Sequence, residues 1–132
     1  MRICITSRGT DPKSQIDLRF GRCACFIFYD TQNEDTEAVL NPALQAIHGA
    51  GVQSSQLLLD KKTEILITGN LGPNASAILS KSAIKVFAAN DGTVEQAIED
   101  FKAGRLDIIT GPTVTGHNSD NSFSDSSTTD ME

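Results

Sequence analysis

The most constraining feature of this chain is a short apolar run that ends in a glycine turn and leads directly into a helix. Residues 64–68 are Glu-Ile-Leu-Ile-Thr, a continuous run typical of a strand that is buried on both faces of a sheet. The turn begins at Gly69, and Pro73 suits the first turn of a helix, where its missing N–H has no role. A unit of this kind is typical of an α/β protein with parallel strands.

The rest of the chain alternates in the same manner. Its last helix has a capping box, with Thr93 as N-cap and Gln96 at the N3 position, and Gly104 can end that helix. The element order β-β-β-α-β-α-β-α predicts an α/β fold with three helices and a five-stranded mixed sheet in which the second strand is antiparallel. The predicted strands are residues 2–6, 25–30, 36–40, 64–68 and 84–88.

Composition favours one domain followed by a polar extension. The 132 residues, of which 39% are hydrophobic, suit a single core, which we place at residues 1–116. Residues 117–132 are rich in Ser, Asp and Thr and carry four acids without any Lys or Arg. This composition predicts a disordered acidic tail that is dispensable for folding.

Charge and hydropathy exclude several classes of partner. The formal net charge is -6, and no cluster of Lys and Arg forms the basic face that nucleic acids require. No stretch approaches the roughly 20 apolar residues that span a bilayer, and the start lacks a secretory signal pattern. We therefore expect a cytoplasmic protein without a membrane or nucleic-acid partner, and three cysteines that are reduced thiols.

The predicted topology brings four loops to one edge of the sheet. These loops follow strands that point in the same direction, and open α/β sheets usually bind ligands outside the carboxyl ends of such strands. Small-residue turns that lead into helices also leave backbone N–H groups free to face an anion. The sequence therefore predicts an anion-binding site whose backbone comes from Gly49, Gly51, Gly69, Asn70, Gly72 and Asn74.

Basic and metal-ligating side chains accompany these turns. Arg19 and Arg22 lie in the loop after the first strand, and guanidinium groups are well suited to large anions. The alternative is that both charges are simply solvated. His48 stands before a glycine turn, where it could bind a metal through one imidazole nitrogen or serve only as a hydrogen-bonded turn residue.

The cysteines are assigned by their positions along the strands. Cys23 and Cys25 form a C-x-C pair at the start of the second strand, where alternate residues share one face, and Cys23 is nearest the loop edge. Cys23 is therefore the candidate thiolate ligand, and we expect it to approach a shared ligand opposite His48. Cys4 lies inside the first strand and is predicted to be a core residue.

No motif for catalysis accompanies these loops. The first strand, Arg-Ile-Cys-Ile-Thr at residues 2–6, contains no acid that could hold the metal ions of a nuclease. The chain also lacks a nucleophile elbow and a phosphate-binding P-loop. We therefore assign no catalytic residue and expect a binding protein and not an enzyme.

Four motifs in order along the chain resemble one known family. They are Phe-Gly-Arg-Cys at 20–23, His-Gly-Ala-Gly at 48–51, Gly-Asn-Leu-Gly-Pro-Asn-Ala at 69–75 and Asp-Gly-Thr-Val-Glu-Gln-Ala at 91–97. Residues 1–108 are thereby similar to the dinitrogenase iron-molybdenum cofactor biosynthesis family. The resemblance implies a ribonuclease-H-like three-layer fold and a carrier for an anionic metal-sulfur cluster, of iron-molybdenum or molybdenum-copper type, or for its precursor.

The branch of the family is indicated by one position. Arg19 stands where the nitrogenase cofactor carriers tend to have a histidine, so the chain looks more like the small stand-alone members. The resemblance also implies cluster-assembly or acceptor proteins as partners. The alternative is a regulatory or scaffold domain that binds a partner protein or a small metabolite at the same edge, without metal.

Overall fold

The structure is a computed structural model, and it describes residues 1–113. The predicted domain end at residue 116 and the predicted tail at 117–132 lie outside the described residues. The elements are β1 (Arg2–Ser7), β2 (Cys25–Asp30), β3 (Thr36–Leu40), α1 (Ala50–Asp60), β4 (Ile65–Thr68), α2 (Pro73–Ser80), β5 (Lys85–Ala88), α3 (Val94–Lys102) and β6 (Asp107–Ile109).

The strands form one mixed sheet in the order β3-β2-β1-β4-β5-β6. β2 is antiparallel to both β1 and β3, whereas β4 runs parallel to β1 and β5 runs parallel to β4. The α/β class, the three helices and the antiparallel second strand are therefore confirmed. The carboxyl ends of β1, β3, β4 and β5 lie at one edge of the sheet, which we call the loop edge.

The predicted count of five strands is wrong, because β6 adds a sixth strand antiparallel to β5. Its three residues, Asp107 to Ile109, are too few to show a periodic pattern, and Ile108 is exposed on its outer side. Ile108 pairs with Phe87 because the edge of β5 offers backbone hydrogen-bonding groups, and not because residues 107–109 have a sequence pattern of their own.

Local sequence explains the best-defined elements. All four residues of β4 are buried, as expected of a central strand, and Pro73 occupies the first turn of α2. The Thr93 hydroxyl accepts a hydrogen bond of 3.1 Å from the backbone N–H of Gln96, which confirms the N-cap of α3. Among the described residues, no helix combines the length and the apolar content needed to cross a bilayer.

Two apolar clusters pack on the two faces of the sheet. Residues of α1 and α2 cover one face, and residues of α3 cover the other. Cys4 and Cys23 belong to the first cluster, as expected of a buried Cys4, but Cys25 belongs to the second. The prediction that Cys23 and Cys25 share one face is wrong, because β2 begins only at Cys25 and Cys23 precedes the regular alternation of the strand.

Candidate functional site

The long connection after β1 crosses the loop edge of the sheet. It makes isolated bridges to two later turns, through Gln15 with Thr93 and through Arg19 with Asn70. The backbone N–H of Phe20 also donates to the carbonyl of Asn70 at 3.2 Å. These contacts hold the connection against the turns after β4 and β5, so that residues distant in sequence lie together at this edge.

A cavity of about 390 Å³ opens beside this connection. We call it the α1–α2 cavity, because it lies at the N-terminal ends of both helices. Six of the predicted site residues line it, namely Arg22, His48, Gly49, Gly51, Gly72 and Asn74. Its other lining residues, which were not among the predicted site residues, are Phe20, Ile47, Ala50, Pro73 and Ala75.

Both helices present N-termini without side-chain caps to this cavity. Gly49 is the N-cap of α1 and Gly72 is the N-cap of α2, and neither terminus has a side-chain cap or an acidic residue in its first turn. An α-helix leaves its first N–H groups without partners inside the helix, and its dipole places partial positive charge there. Two such ends at one cavity create a positive potential for an anion.

Glycines allow the two helix ends to come this close. A Cβ atom placed on Gly51 would lie 3.3 Å from the Cβ of Ala75, so α1 and α2 meet almost backbone to backbone. Gly21, with a φ of 92°, also packs against Gly51, because a Cβ atom on Gly21 would lie 3.3 Å from the Gly51 Cα. We call this arrangement the Gly21–Gly51–Ala75 stack.

Arg22 and His48 provide the polar side chains at the mouth of the cavity. Both are exposed, and the Arg22 guanidinium donates a hydrogen bond of 2.8 Å to the carbonyl of Ala46. No carboxylate pairs with Arg22 among residues 1–113. Its positive charge is therefore available to an anion in the cavity.

Arg19 has a different environment from Arg22. Its Nε and Nη2 atoms each donate to the carboxylate of Asp17 at 3.1 Å, and its backbone N–H donates to the same carboxylate at 3.0 Å. The Asp17 side chain is 2% exposed and that of Arg19 is 66% exposed. The pKa of Arg19 is raised by its hydrogen bonds to Asp17. The charge of Arg19 is thus already compensated within the fold.

Gly69 and Asn70 lie beside the cavity and serve the packing of the long connection. A Cβ atom on Gly69 would lie 2.5 Å from the Cβ of Leu18, so the absence of a side chain makes room for that residue. The backbone of Asn70 bonds to Leu18 and Phe20. Among the predicted site residues, Arg19, Gly69 and Asn70 are thus brought together with one another but not into the cavity.

Cys23 lies beneath the loop edge and does not line the cavity. Its side chain is fully buried, and burial, followed by the nearby carboxylate of Asp17, raises its pKa from 9.0 to about 12. The thiol is therefore neutral at ordinary pH. The structure does not bring Cys23 and His48 to one opening, and their predicted roles as ligands stay predictions.

Comparison with known proteins identifies the family. The model of the family described as dinitrogenase iron-molybdenum cofactor matches residues 1–104. The chain belongs to this family. The matched segment contains every element from β1 to α3 and every residue that lines the α1–α2 cavity.

Two solved structures resemble this chain in sequence and fold, and one further relative resembles it in sequence. The apo form of the orange protein from Desulfovibrio gigas is 35% identical, with a TM-score of 0.81 over 85% of this chain and 95% of that one. A Thermotoga protein that carries the NifB name is 40% identical, with a TM-score of 0.76 over 85% of this chain and 96% of its own. An uncharacterized protein of Methanocaldococcus jannaschii is 28% identical over 97 residues, which are 71% of this chain and 82% of the relative.

The cavity offers a positive charge and hydrogen-bond donors, and not a set of metal-ligating side chains. Within residues 1–113, no group of three or more His, Cys, Asp or Glu side chains is placed to hold a metal ion. Of the residues that line the cavity, only His48 has one of these side chains. Arg22, the backbone N–H groups and the apolar floor at Phe20 instead suit a large, weakly hydrated anion.

Two structural residues escaped the sequence analysis. Asn41 is buried, and its side-chain amide donates to the carbonyls of Gly21 and Cys23 at 3.1 and 2.9 Å, while its side-chain oxygen accepts from the N–H of Ala43. It thereby fixes the segment before His48 to the turn that carries Arg22. The Asn-Pro pair at residues 41–42 is a turn signal that could have revealed it. Asp17 had no such signal, because its burial depends on tertiary contacts.

Proposed function

We propose that this protein binds and carries an anionic metal-sulfur cluster, or a precursor of one, in the α1–α2 cavity. The observation that carries the proposal is the convergence of two helix N-termini without side-chain caps with Arg22 and His48 around one cavity of about 390 Å³. Membership of the dinitrogenase iron-molybdenum cofactor family and the likeness to the orange protein support the same class of cargo.

The chemistry of the cavity favours a large sulfide anion. Sulfide clusters spread their negative charge over several soft atoms, so they lose less hydration energy on entering a cavity than small oxyanions do. Arg22 would supply a full positive charge at the rim, and the N–H groups near Gly51 and Asn74 would donate hydrogen bonds. His48 can add a nitrogen ligand to an exposed metal atom or a hydrogen bond to a sulfide.

The proposed role is transport without catalysis. A carrier needs a site that its cargo can enter and leave, and a cluster-assembly protein or an acceptor protein would load and unload it. We interpret the arrangement of three helices around the central sheet as ribonuclease-H-like, with the cargo site at the loop edge instead of on the strands.

The direct test is titration with tetrathiomolybdate, followed by visible absorption and by amide chemical shifts. Arg22→Ala should weaken binding about ten-fold, because the charge-assisted contact at the rim is lost. His48→Ala should weaken it by a smaller factor, about three-fold, if the imidazole only donates a hydrogen bond. Added salt should weaken binding to the wild type more than binding to Arg22→Ala.

The matched control is Arg8→Ala, which removes an exposed positive charge from the same connection but not from the cavity. Its affinity should stay within two-fold of the wild type. Arg19→Ala should likewise cost less affinity than Arg22→Ala, because Asp17 already neutralises Arg19. Equal losses for Arg8→Ala and Arg22→Ala would refute the cavity as the binding site.

One observation favours the alternative, in which this edge binds a partner protein or a small metabolite without metal. The side chain of Ile47, which lines the cavity, is 83% exposed, and Leu40 at the end of β3 is 71% exposed. A partner protein that covered these two side chains would remove their apolar surface from water. Protein isolated without any metal under anaerobic conditions, together with no thiomolybdate binding, would favour this alternative over the carrier.

A further inference from the structure

A buried asparagine holds the turn that carries Arg22. Asn41 follows β3, is 6% exposed and does not line the α1–α2 cavity. Its side-chain amide donates to the carbonyls of Gly21 and Cys23 at 3.1 and 2.9 Å, and these are the two residues on either side of Arg22. One side chain therefore fixes the backbone of Arg22 from both sides.

The side-chain oxygen of Asn41 holds the segment before His48. It accepts a hydrogen bond of 2.8 Å from the N–H of Ala43, whose carbonyl in turn accepts one of 3.0 Å from the N–H of Ala46. The carbonyl of Ala46 is the acceptor of the Arg22 guanidinium, at 2.8 Å. The bonds thus form a closed ring, which we call the Asn41 ring and which contains Asn41, Ala43, Ala46, Arg22, Gly21 and Cys23.

The Asn41 ring restrains both ends of Arg22. Its backbone is held through the donors of Asn41, and its guanidinium is held through the carbonyl of Ala46. A long exposed side chain normally loses much rotamer freedom when it binds a ligand, and this loss weakens binding. A side chain that is ordered beforehand loses less freedom, so its charge contributes more to affinity.

From this ring we propose that Asn41 is a positioning residue of the cavity, which orders Arg22 before an anionic cargo binds. The nature of the cargo rests on the proposed function, but the ordering of Arg22 does not. A purely structural Asn41 would stabilise the fold and affect binding in the same way with or without Arg22. A positioning Asn41 affects binding only while Arg22 is present.

The substitution that tests this role is Asn41→Ser in the full-length chain. A serine hydroxyl can still accept from the N–H two residues further on, so the local turn is kept. It is too short to reach the carbonyls of Gly21 and Cys23, so the ring is opened. The control is Ile98→Ala, which destabilises α3 through the apolar cluster on the opposite face of the sheet from α1 and α2. Both variants are compared at a temperature at which circular dichroism shows them folded.

The first measurement uses no cargo and follows the ¹⁵N heteronuclear NOE of the arginine Nε–Hε groups. In the wild type, Arg22 should be ordered, whereas Arg8, an exposed arginine of the same connection, should be mobile. Asn41→Ser should lower the NOE of Arg22 to that of Arg8, and Ile98→Ala should leave it unchanged. An Arg22 as mobile as Arg8 in the wild type, or one unaffected by Asn41→Ser, would overturn the proposal whatever the protein binds.

The second measurement is the affinity for tetrathiomolybdate, with and without Arg22→Ala in the same chain. Asn41→Ser should weaken binding about five-fold when Arg22 is present and less than two-fold when it is replaced, because residues that act together are not additive. Ile98→Ala should stay within two-fold in both backgrounds.

Two results of this second measurement have different meanings. An equal loss in both backgrounds, or no loss in either, would overturn the positioning role of Asn41. Absence of binding in all of these proteins, the wild type included, would overturn the proposed function instead, and the NOE of Arg22 would then decide by itself whether Asn41 orders that side chain.

Discussion

Two arginines of the same connection, Arg19 and Arg22, have different hydrogen-bond partners at the loop edge. Arg19 pairs through two of its nitrogen atoms with the buried carboxylate of Asp17, and its neighbours pack against the turn at Gly69. Arg22 makes one side-chain hydrogen bond, to a backbone carbonyl, and faces the α1–α2 cavity. We call the first region the anchored half and the second the open half.

This difference in partners shows that exposure alone does not indicate whether an arginine is free to pair with an anion. Both side chains are exposed, and both lie in one basic connection. What separates them is whether a carboxylate of the fold already neutralises the charge, since moving Arg19 to a ligand would leave Asp17 buried without its counter-ion. The same distinction predicts which substitutions act on stability and which act on binding.

The largest effect is expected from Asp17→Ala in the anchored half. Loss of the carboxylate removes three hydrogen bonds to Arg19 and should lower the free energy of unfolding by about 3 kcal/mol. Urea unfolding followed by circular dichroism measures this change. Arg22→Ala is the comparison and should alter stability by less than about 0.5 kcal/mol, because the residue is exposed. Similar losses for both variants would remove the distinction between the halves.

The next effect distinguishes two glycines. Gly69→Ala places a Cβ atom 2.5 Å from the Cβ of Leu18, and the resulting overpacking should cost about 2 kcal/mol of stability. Gly49→Ala meets open space and costs only the strain of its φ of 77°, about 1 kcal/mol.

A second substitution separates the two causes. Leu18→Ala should partly restore the stability of Gly69→Ala, because it removes the group that the new methyl meets, but it should not restore that of Gly49→Ala. Unfolding free energies of the single and double variants provide the test. Additive losses for the pair Leu18 and Gly69 would show that steric contact is not the reason for this glycine.

The last effect appears only at alkaline pH and concerns Cys23, which is buried in the first apolar cluster. Its pKa is about 12 in the folded protein, well above the ordinary value of 9.0, because the thiol is buried. The neutral thiol therefore stabilises the fold fully below pH 9, and this contribution is lost as the pH rises toward 12. Above pH 9, the wild type should lose up to about 1.4 kcal/mol of unfolding free energy per pH unit through this group.

The measurement is urea unfolding between pH 8 and about pH 10.5, in a reducing buffer. Cys23→Ala should lose stability less steeply with pH than the wild type, and its remaining slope would include Cys4 and Cys25, whose pKa values are also raised by burial. An identical slope in both proteins would show that the Cys23 thiolate reaches solvent, as a ligand at the cavity would require.

The sequence was informative where a signal and its structural consequence lie close together. The apolar run of β4, Pro73 at the start of α2 and Thr93 at the start of α3 each specify an element within a few residues. β6 could not be predicted, because its three residues become a strand only through the edge of β5. Asp17 and its pairing with Arg19 were missed because the burial of Asp17 also depends on tertiary contacts.

For the candidate site, the chain order of loops and strands was sufficient to predict which turns meet at one edge of the sheet, but not how deeply each side chain is buried. Six of the predicted residues line one cavity, because their turns all follow strands that end at the loop edge. Cys23 is fully buried and does not line the cavity. Because β2 begins only at Cys25, the alternation of side chains within the strand does not predict the orientation of Cys23. The spacing of residues along a strand predicts the face of the sheet on which a side chain lies. The burial of that side chain depends on the other parts of the chain that pack over it.

The Gly21–Gly51–Ala75 stack has a consequence for how cargo is exchanged. Because only the methyl group of Ala75 lies between the two helix backbones there, the helices are packed tightly against each other at this point. On the proposed function, a cluster would therefore enter and leave past the exposed residues Ile47 and His48, which line the cavity, and not by separation of the two helices.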